Sequence, residues 1–233
     1  MKIEIWSDFA CPFCYIGKKK IEKALKNFKH KDKVEVVYNA YELSPNFDDK
    51  VQGVGVEAFA KLKGIDLEQA RKMYNTVALR AQEYDLDYQV DDIVMVSTRK
   101  AHRLAKWANE FNKEAEISEK IFNAYFVLGL NINDNDVLLS FVKELNLDEE
   151  KALEVLNSKK YDDVVSDQIK KAQAIGVQGV PFFVFDRKFA ISGAQRDDIF
   201  EQALNKAYEE YKPKFETVGD KDDAACGPDG CEI

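Results

Sequence analysis

The sequence predicts an α/β fold with a long helical block inserted into it, and three observations carry that prediction. Residues 2–7 (Lys-Ile-Glu-Ile-Trp-Ser) alternate apolar and polar side chains at the period of a strand, and a helical pattern follows immediately. Residues 34–43 read as a second strand stopped by Ser44-Pro45-Asn46. Strand character then vanishes for over a hundred residues and returns at Pro181–Phe185 and Lys188–Ser192, which flank an Asp186-Arg187 turn.

Taken in order, Cys11 opens the first helix. Pro12 stands at the first helical position, where a missing N–H costs nothing, and Ile16, Ile21, Ala24, Leu25 and Phe28 recur at helical spacing. From about residue 55 to about 175 the pattern is helical almost throughout. Asp66 followed by Gln69 marks a helix start of the capping-box type. Residues 87–96 read as a connection. Residues 98–111 form a helix with Ala101, Leu104, Ala105 and Ala108 on one face, and further helices fit 117–128, 135–145, 148–157 and 161–175. Gly176 ends the last of them. Residues 195–211 form a closing amphipathic helix. The first strand–helix–strand unit requires a right-handed crossover and a parallel pair, and the later two strands form a hairpin on the same sheet. The expected organisation is a core of residues 1–45 and 176–212, a helical insertion of 46–175 whose last helix packs back on the core, and a flexible tail of 213–233.

Composition narrows the function. The chain has 233 residues, 45% hydrophobic, with 15 Phe and 10 Tyr, which suffices for an ordinary core. Its net charge of −8 repels phosphate backbones, so nucleic acid is not an expected partner. No stretch approaches the roughly 18 apolar residues of a membrane span. The N-terminus carries Glu4 and Asp8 and runs straight into a cysteine motif, so it does not read as a signal peptide, and a cytoplasmic location is expected. Four cysteines are too few for a disulfide scaffold; in a reducing compartment, pairs of them indicate redox chemistry or metal binding.

Cys11-Pro12-Phe13-Cys14 lies between a strand and a helix. A helix start offers unpaired N–H groups and the positive end of the dipole, both of which favour a thiolate at Cys11. A thiolate there is the nucleophile that attacks a disulfide, and Cys14, one turn on and facing inward, is placed to resolve the mixed disulfide. Phe13 lends no charge to the thiolate, so a more reducing pair is expected than with histidine between the cysteines. The competing reading is a zinc site completed by Cys226 and Cys231; the strand–helix context favours redox exchange. Together with the order of elements, the motif resembles a thioredoxin-like core interrupted by a helical insertion.

Gly179-Val180-Pro181-Phe182-Phe183 precedes the third strand. In thioredoxin-like proteins a cis proline at this place packs against the cysteine pair, and the backbone of the preceding residue pairs with an incoming peptide. The resemblance implies those roles for Pro181 and Val180. A trans proline at a strand edge is the alternative.

Residues 7–17 (Ser-Asp-Phe-Ala-Cys-Pro-Phe-Cys-Tyr-Ile-Gly), 97–104 (Ser-Thr-Arg-Lys-Ala-His-Arg-Leu), 124–126 with Asn131-Ile132, 176–183 and 192–195 together resemble the DsbA family of thiol–disulfide oxidoreductases, and most closely its FrnE-like branch. The resemblance implies a thioredoxin fold with an inserted helical domain and a redox-active first cysteine. Phe13 stands where relatives often have Trp, Ser97 where many have Asn, and Arg196 where many have Pro. Related glutathione-dependent 2-hydroxychromene-2-carboxylate isomerases and kappa-class glutathione transferases usually carry Ser at the place of Cys11, which tilts this chain toward disulfide exchange.

Other candidates carry competing readings. His102 is a general base or, more in keeping with its apolar helix face, a structural histidine at the junction of insertion and core. Asp8 relays protons or caps a strand end. Phe9, Phe13, Tyr15 and Phe182 line a cleft roofed by the insertion, or belong to the core. Cys226-Gly-Pro-Asp-Gly-Cys231 has strong turn chemistry and brings its ends together. It is a redox relay to Cys11–Cys14, a passive loop or a metal-binding tail. The expected activity is exchange with disulfide-containing proteins or small thiols. No bound cofactor is expected, and glutathione or another low-molecular-weight thiol is a candidate co-substrate. The alternative is a glutathione-dependent isomerase or transferase.

Overall fold

The computed structural model describes residues 1–211 and the backbone of residues 226–227 and 230–231. Strand β1 (Lys2–Ser7) leads through the Asp8–Ala10 turn into helix α1 (Pro12–Asn27), and a short 3₁₀ turn at Lys31–Lys33 returns the chain to β2 (Glu35–Ala40). The two strands pair in parallel, Ile3 opposite Val36 and Ser7 opposite Ala40. Much later, β5 (Phe182–Phe185) pairs antiparallel with β1, and β6 (Phe189–Ser192) pairs antiparallel with β5. The sheet order is β2-β1-β5-β6. The connection is the three-residue turn Asp186–Lys188, in which Asp186 and Arg187 take positive φ and Lys188 N–H donates to the Phe185 carbonyl at 3.0 Å. Helix α9 (Asp197–Glu209) closes the core by packing beside α1. Ile3, Ile21, Phe183, Phe185 and Phe200 are fully enclosed between sheet and helices, as alternating strand residues and one helix stripe should be.

Between β2 and β5 run α2 (Gly55–Lys63), α3 (Leu67–Gln82), α4 (Arg99–Asn109), α5 (Glu114–Phe126), α6 (Asn135–Glu144), α7 (Glu149–Asn157) and α8 (Asp162–Ala174). The expected face of α4 is buried: Ala101, Leu104, Ala105 and Ala108 are at most 2% exposed. Helix α8 lies against β2. The Trp6 indole donates to the Gln168 carbonyl at 3.0 Å, and the Gln168 side chain accepts from Ala40 N–H at 2.8 Å.

The structure corrects several expectations. The block is not all helical, because β3 (Gly53–Val54) and β4 (Val94–Met95) form a small antiparallel ladder. Two residues per strand are too few to produce a readable alternation. The second strand ends at Ala40 rather than Leu43. Tyr41 still donates to Ser7 O, but Leu43 N–H is then drawn to the Asp8 carboxylate at 2.7 Å. Asp66 caps α3 by accepting from Glu68 and Gln69 N–H, and among the described residues Gln69 makes no return bond. The helix expected at 117–128 begins three residues earlier, at Glu114.

The expected flexible tail, 213–233, lies outside the described residues apart from a two-stranded ladder of β7 (Cys226–Gly227) and β8 (Gly230–Cys231). There Cys226 and Cys231 are register partners. No described helix is long and apolar enough to cross a membrane. Among the described residues, no group of three or more His, Cys, Asp or Glu side chains could hold a metal ion.

Candidate active site

The turn between β1 and α1 is built by Asp8. Its carbonyl accepts from Cys11 N–H at 3.0 Å, and one carboxylate oxygen accepts from Ala10 N–H at 3.3 Å. The other takes Leu43 N–H, tying the turn to the segment after β2. His102 Nε2 lies 3.4 Å from the same carboxylate, and its ring stacks at a tilt on Phe9 with 4.7 Å between centroids. Asp8 and His102 thus form a buried clamp under the turn, and the Asp8 backbone also hydrogen-bonds the Cys14 thiol.

Cys11 is the N-cap of α1 and Pro12 its first residue. The Cys11 side chain takes no capping bond from the first-turn N–H groups. Its Sγ instead donates to the Val180 carbonyl at 3.4 Å. The Val180–Pro181 peptide is cis. Gly17 explains how α1 comes this close: a Cβ there would lie 3.0 Å from both Pro181 and Phe183 side-chain atoms. The Pro181 carbonyl is held by Gly193 N–H at 2.8 Å. From the opposite side, Tyr88 Oη donates to the Pro12 carbonyl at 2.8 Å, fixing the turn between the cysteines.

Both cysteines are free thiols, and both are buried. Burial raises the Cys14 thiol well above its ordinary value, the neighbouring Cys11 raises it further, and a hydrogen bond with the Ser7 side chain opposes them. Behind Cys14 is a cavity of about 20 Å³ that also touches Ser7, Tyr38, His102, Lys106 and Glu114. That is room for about one water molecule. Lys106 and Glu114 form a buried ion pair, and Lys106 Nζ also donates to the Tyr38 carbonyl at 2.7 Å. Burial lowers the Lys106 ammonium and raises the Glu114 carboxyl, each being the less hydrated for it, and each partner resists the other's shift.

Among the described residues three clefts border the turn, one of them an open groove of about 680 Å³ along Phe13, Met73, Val77 and Arg80. On one side, Ala10 and Pro12 form the edge of a pocket of about 160 Å³ walled by Phe47, Phe59, Met73, Val77, Met95 and Tyr125. On the other, Phe13 and Ile16 border a cleft of about 360 Å³ that also takes in Lys20, Arg80, Tyr84 and Arg196. Phe13 itself lies under the Arg80 guanidinium, 6.0 Å from its ring centroid.

Comparison with known proteins agrees with this arrangement. Residues 2–205 match the model of the DSBA-like thioredoxin domain. The chain belongs to that family. A probable DsbA oxidoreductase from Streptomyces coelicolor is 35% identical, with a TM-score of 0.88 over 100% of this chain and 99% of its own. The uncharacterized protein YwbO of Bacillus subtilis (strain 168) is 28% identical over 205 residues, which is 87% of this chain and 95% of that protein. At 16% identity, the cytosolic disulfide reductase DsbM from Pseudomonas aeruginosa, whose structure was determined with GSH, shares the fold, with a TM-score of 0.60 over 90% of this chain and 100% of its own.

Within this DSBA-like domain the sequence-based candidates divide. Cys11, Cys14, Pro12, Val180 and Pro181 come together, and Phe13 stands half-buried at the edge of the clefts. Phe9 and Tyr15 are core residues that meet Phe122, Phe9 at a tilt and Tyr15 stacked, and Phe182 packs with Trp6 and Val177. Cys226 and Cys231 face each other in register, and their side chains lie outside the described residues. Sequence reasoning missed Tyr88, hidden in what reads as a connection, and the Lys106–Glu114 pair. A lysine on the apolar side of α4 was the available signal.

Proposed function

We propose that this DSBA-like protein exchanges disulfides through Cys11 and Cys14. The observation that carries the reading is the Cys11 sulfur resting on the Val180 carbonyl beside the cis Pro181, with Cys14 buried one turn behind it. In this reaction the Cys11 thiolate attacks one sulfur of a substrate disulfide and the other sulfur leaves as a thiolate. Cys14 then gives up its proton and displaces the bound half, leaving a Cys11–Cys14 disulfide. Val180 N–H has no hydrogen-bond partner among the described residues, so it is free to pair with an extended substrate. Arg80, which has no salt-bridge partner among the described residues, suits a carboxylate of a small peptide thiol such as glutathione, while Lys20 and Arg196 beside it are already paired with Asp197 and Asp198.

Titration of the full chain in glutathione redox buffers, with acid quenching, alkylation and peptide mapping, tests this. A reversible Cys11–Cys14 disulfide is expected, together with loss of exchange in Cys11→Ser. If the pair never forms while glutathione binds tightly, an isomerase or transferase reading replaces it.

A further inference from the structure

The pocket beside Ala10 and Pro12 differs in kind from the cleft across the turn. Phe47, Phe59, Met73 and Val77 give it apolar walls, and its volume of about 160 Å³ matches cavities that hold a single benzene-sized ring. Among the described residues, its charged lining residues are Lys63, exposed at the rim, and Asp8. Both Asp8 carboxylate oxygens are already occupied by Ala10 and Leu43 N–H. An anion would find no counter-ion inside, and a cation would meet Asp8 only with its oxygens already bonded.

The hydroxyls of Ser44, Tyr74, Thr98 and Tyr125 in the wall make no hydrogen bond among the described residues, and Tyr125 is the most buried of the four. Tyr125 is 3% exposed, and its hydroxyl has no hydrogen-bond partner among the described residues. Its phenol is raised first by burial and then by Tyr74 and Asp8, both of which line the same pocket, so the hydroxyl end faces the pocket. Burial keeps it protonated and therefore able to donate. The hydroxyl oxygen is open to the pocket rather than sealed in its wall, so a ligand that brings an acceptor takes the place of water there.

We propose that this pocket selects the substrate: it takes a neutral arm of a low-molecular-weight disulfide, about one ring in size and carrying a hydrogen-bond acceptor for Tyr125. The proposal rests on disulfide exchange at Cys11. In the reaction, Cys11 forms a disulfide with the sulfur of the pocket-held arm and the other half leaves as a thiolate. Cys14, losing its proton to solvent, then displaces the held arm as a second thiolate. Two electrons pass from the cysteine pair to the substrate.

The test is single-turnover oxidation of the reduced full chain by dipyridyl disulfide and by hydroxyethyl disulfide, each rate divided by that of dithiothreitol with the same compound. The normalised rate should be about tenfold higher or more for the pyridyl compound, the order of discrimination an apolar pocket gives. Met73→Trp, at a half-exposed position where folding is retained, should fill the pocket and collapse that ratio. Tyr125→Phe should lower it further than loss of ring contact explains, since the ring stays. Equal normalised rates in the native chain, or a ratio unmoved by both substitutions, would overturn the proposal. Failure of exchange itself would show as no oxidation by either compound. The pocket is then read by calorimetric titration of Cys11→Ser/Cys14→Ser protein with methylthiopyridine. Binding lost on adding Met73→Trp supports the pocket, and absence of binding before that change refutes it.

Discussion

The two flanks of the Pro12–Phe13 turn are made from the same helices yet offer opposite chemistry. Helix α3 supplies Met73 and Val77 to the apolar pocket and, one further turn along, Arg80 to the cationic cleft. Residues about a turn apart share one helix face, and Met73, Val77 and Arg80 line a common groove of about 680 Å³ with Phe13, the ridge between the two flanks. Phe13 sits on that ridge, its ring under Arg80. The lesson is that a motif with no charge of its own can be given an electrostatic side and a greasy side by the element laid over it. Cys11 is only 4% exposed, so whatever reaches its sulfur must come through one of these flanks or along Val180.

The largest effect should come from the sulfur both flanks share. Cys11→Ser should remove exchange with every disulfide, apolar or anionic, as followed by thiol release. If exchange with one class survived, that flank would be served by a different thiol and the comparison would fail at its root.

Next in size is the backing that both flanks lean on. Glu114 and Lys106 are 7% exposed each, and the loss of one partner leaves a charge in a dry site. Glu114→Ala should lower stability by roughly 3–5 kcal/mol, measured by denaturant unfolding. Replacement of both by apolar residues of similar size should restore most of that loss. A single substitution that costs under about 1 kcal/mol would mean that water reaches the pair as it does at the surface.

A smaller effect separates the flanks directly. Arg80 is exposed and has no salt-bridge partner among the described residues. Arg80→Glu should slow oxidation by glutathione disulfide by about threefold to tenfold at low salt, since exposed charge pairs are worth at most about 1 kcal/mol each and the sign is reversed. The loss should fade as salt is raised, because a charge this exposed is screened within about 10 Å at 0.1 M. Dipyridyl disulfide should show neither the loss nor the salt dependence. Equal sensitivity of the two substrates would mean that both enter from the same side.

How far these features were legible depends on how local their causes are. The strand–helix–strand start, the cysteine pair at a helix cap and the returning hairpin follow from residue order and period, and the structure has them within a few residues. The fate of Phe9, Phe13 and Tyr15 was not legible. All three are aromatic and adjacent to the motif. Which one turns to a cleft is decided by Phe122, His102 and Arg80, which are distant in sequence. Tyr125 was quotable as part of a motif, but its unsatisfied hydroxyl is a property of the pocket that Tyr74 and Asp8 complete. The β3–β4 ladder escaped because two-residue strands carry no period.

The smallest expected effect is the acid response of the cationic flank, and it has a definite sign. Asp197 lies at the start of α9, where burial raises its carboxyl but hydrogen bonds from Lys23, Tyr84 and Lys20 outweigh burial and bring it to about 2. A folded-state value below the unfolded one means that the unfolded chain binds the proton more readily. The stabilisation is therefore complete above the ordinary aspartate range and is lost as pH falls toward about 2. Lys20 and Tyr84 line the cationic cleft, so protonation of Asp197 should loosen that flank first. Among the described residues, the carboxylate lining the apolar pocket is that of Asp8, which is bound by backbone N–H groups and faces His102. Amide hydrogen exchange between pH 4 and 2 should show protection falling earlier in the N-terminal turn of α9 than in α3, after correction for the intrinsic rate. Asp197→Asn should remove the difference by giving the loosened state at every pH. Simultaneous loss of protection in both helices would mean that the two flanks open as one unit.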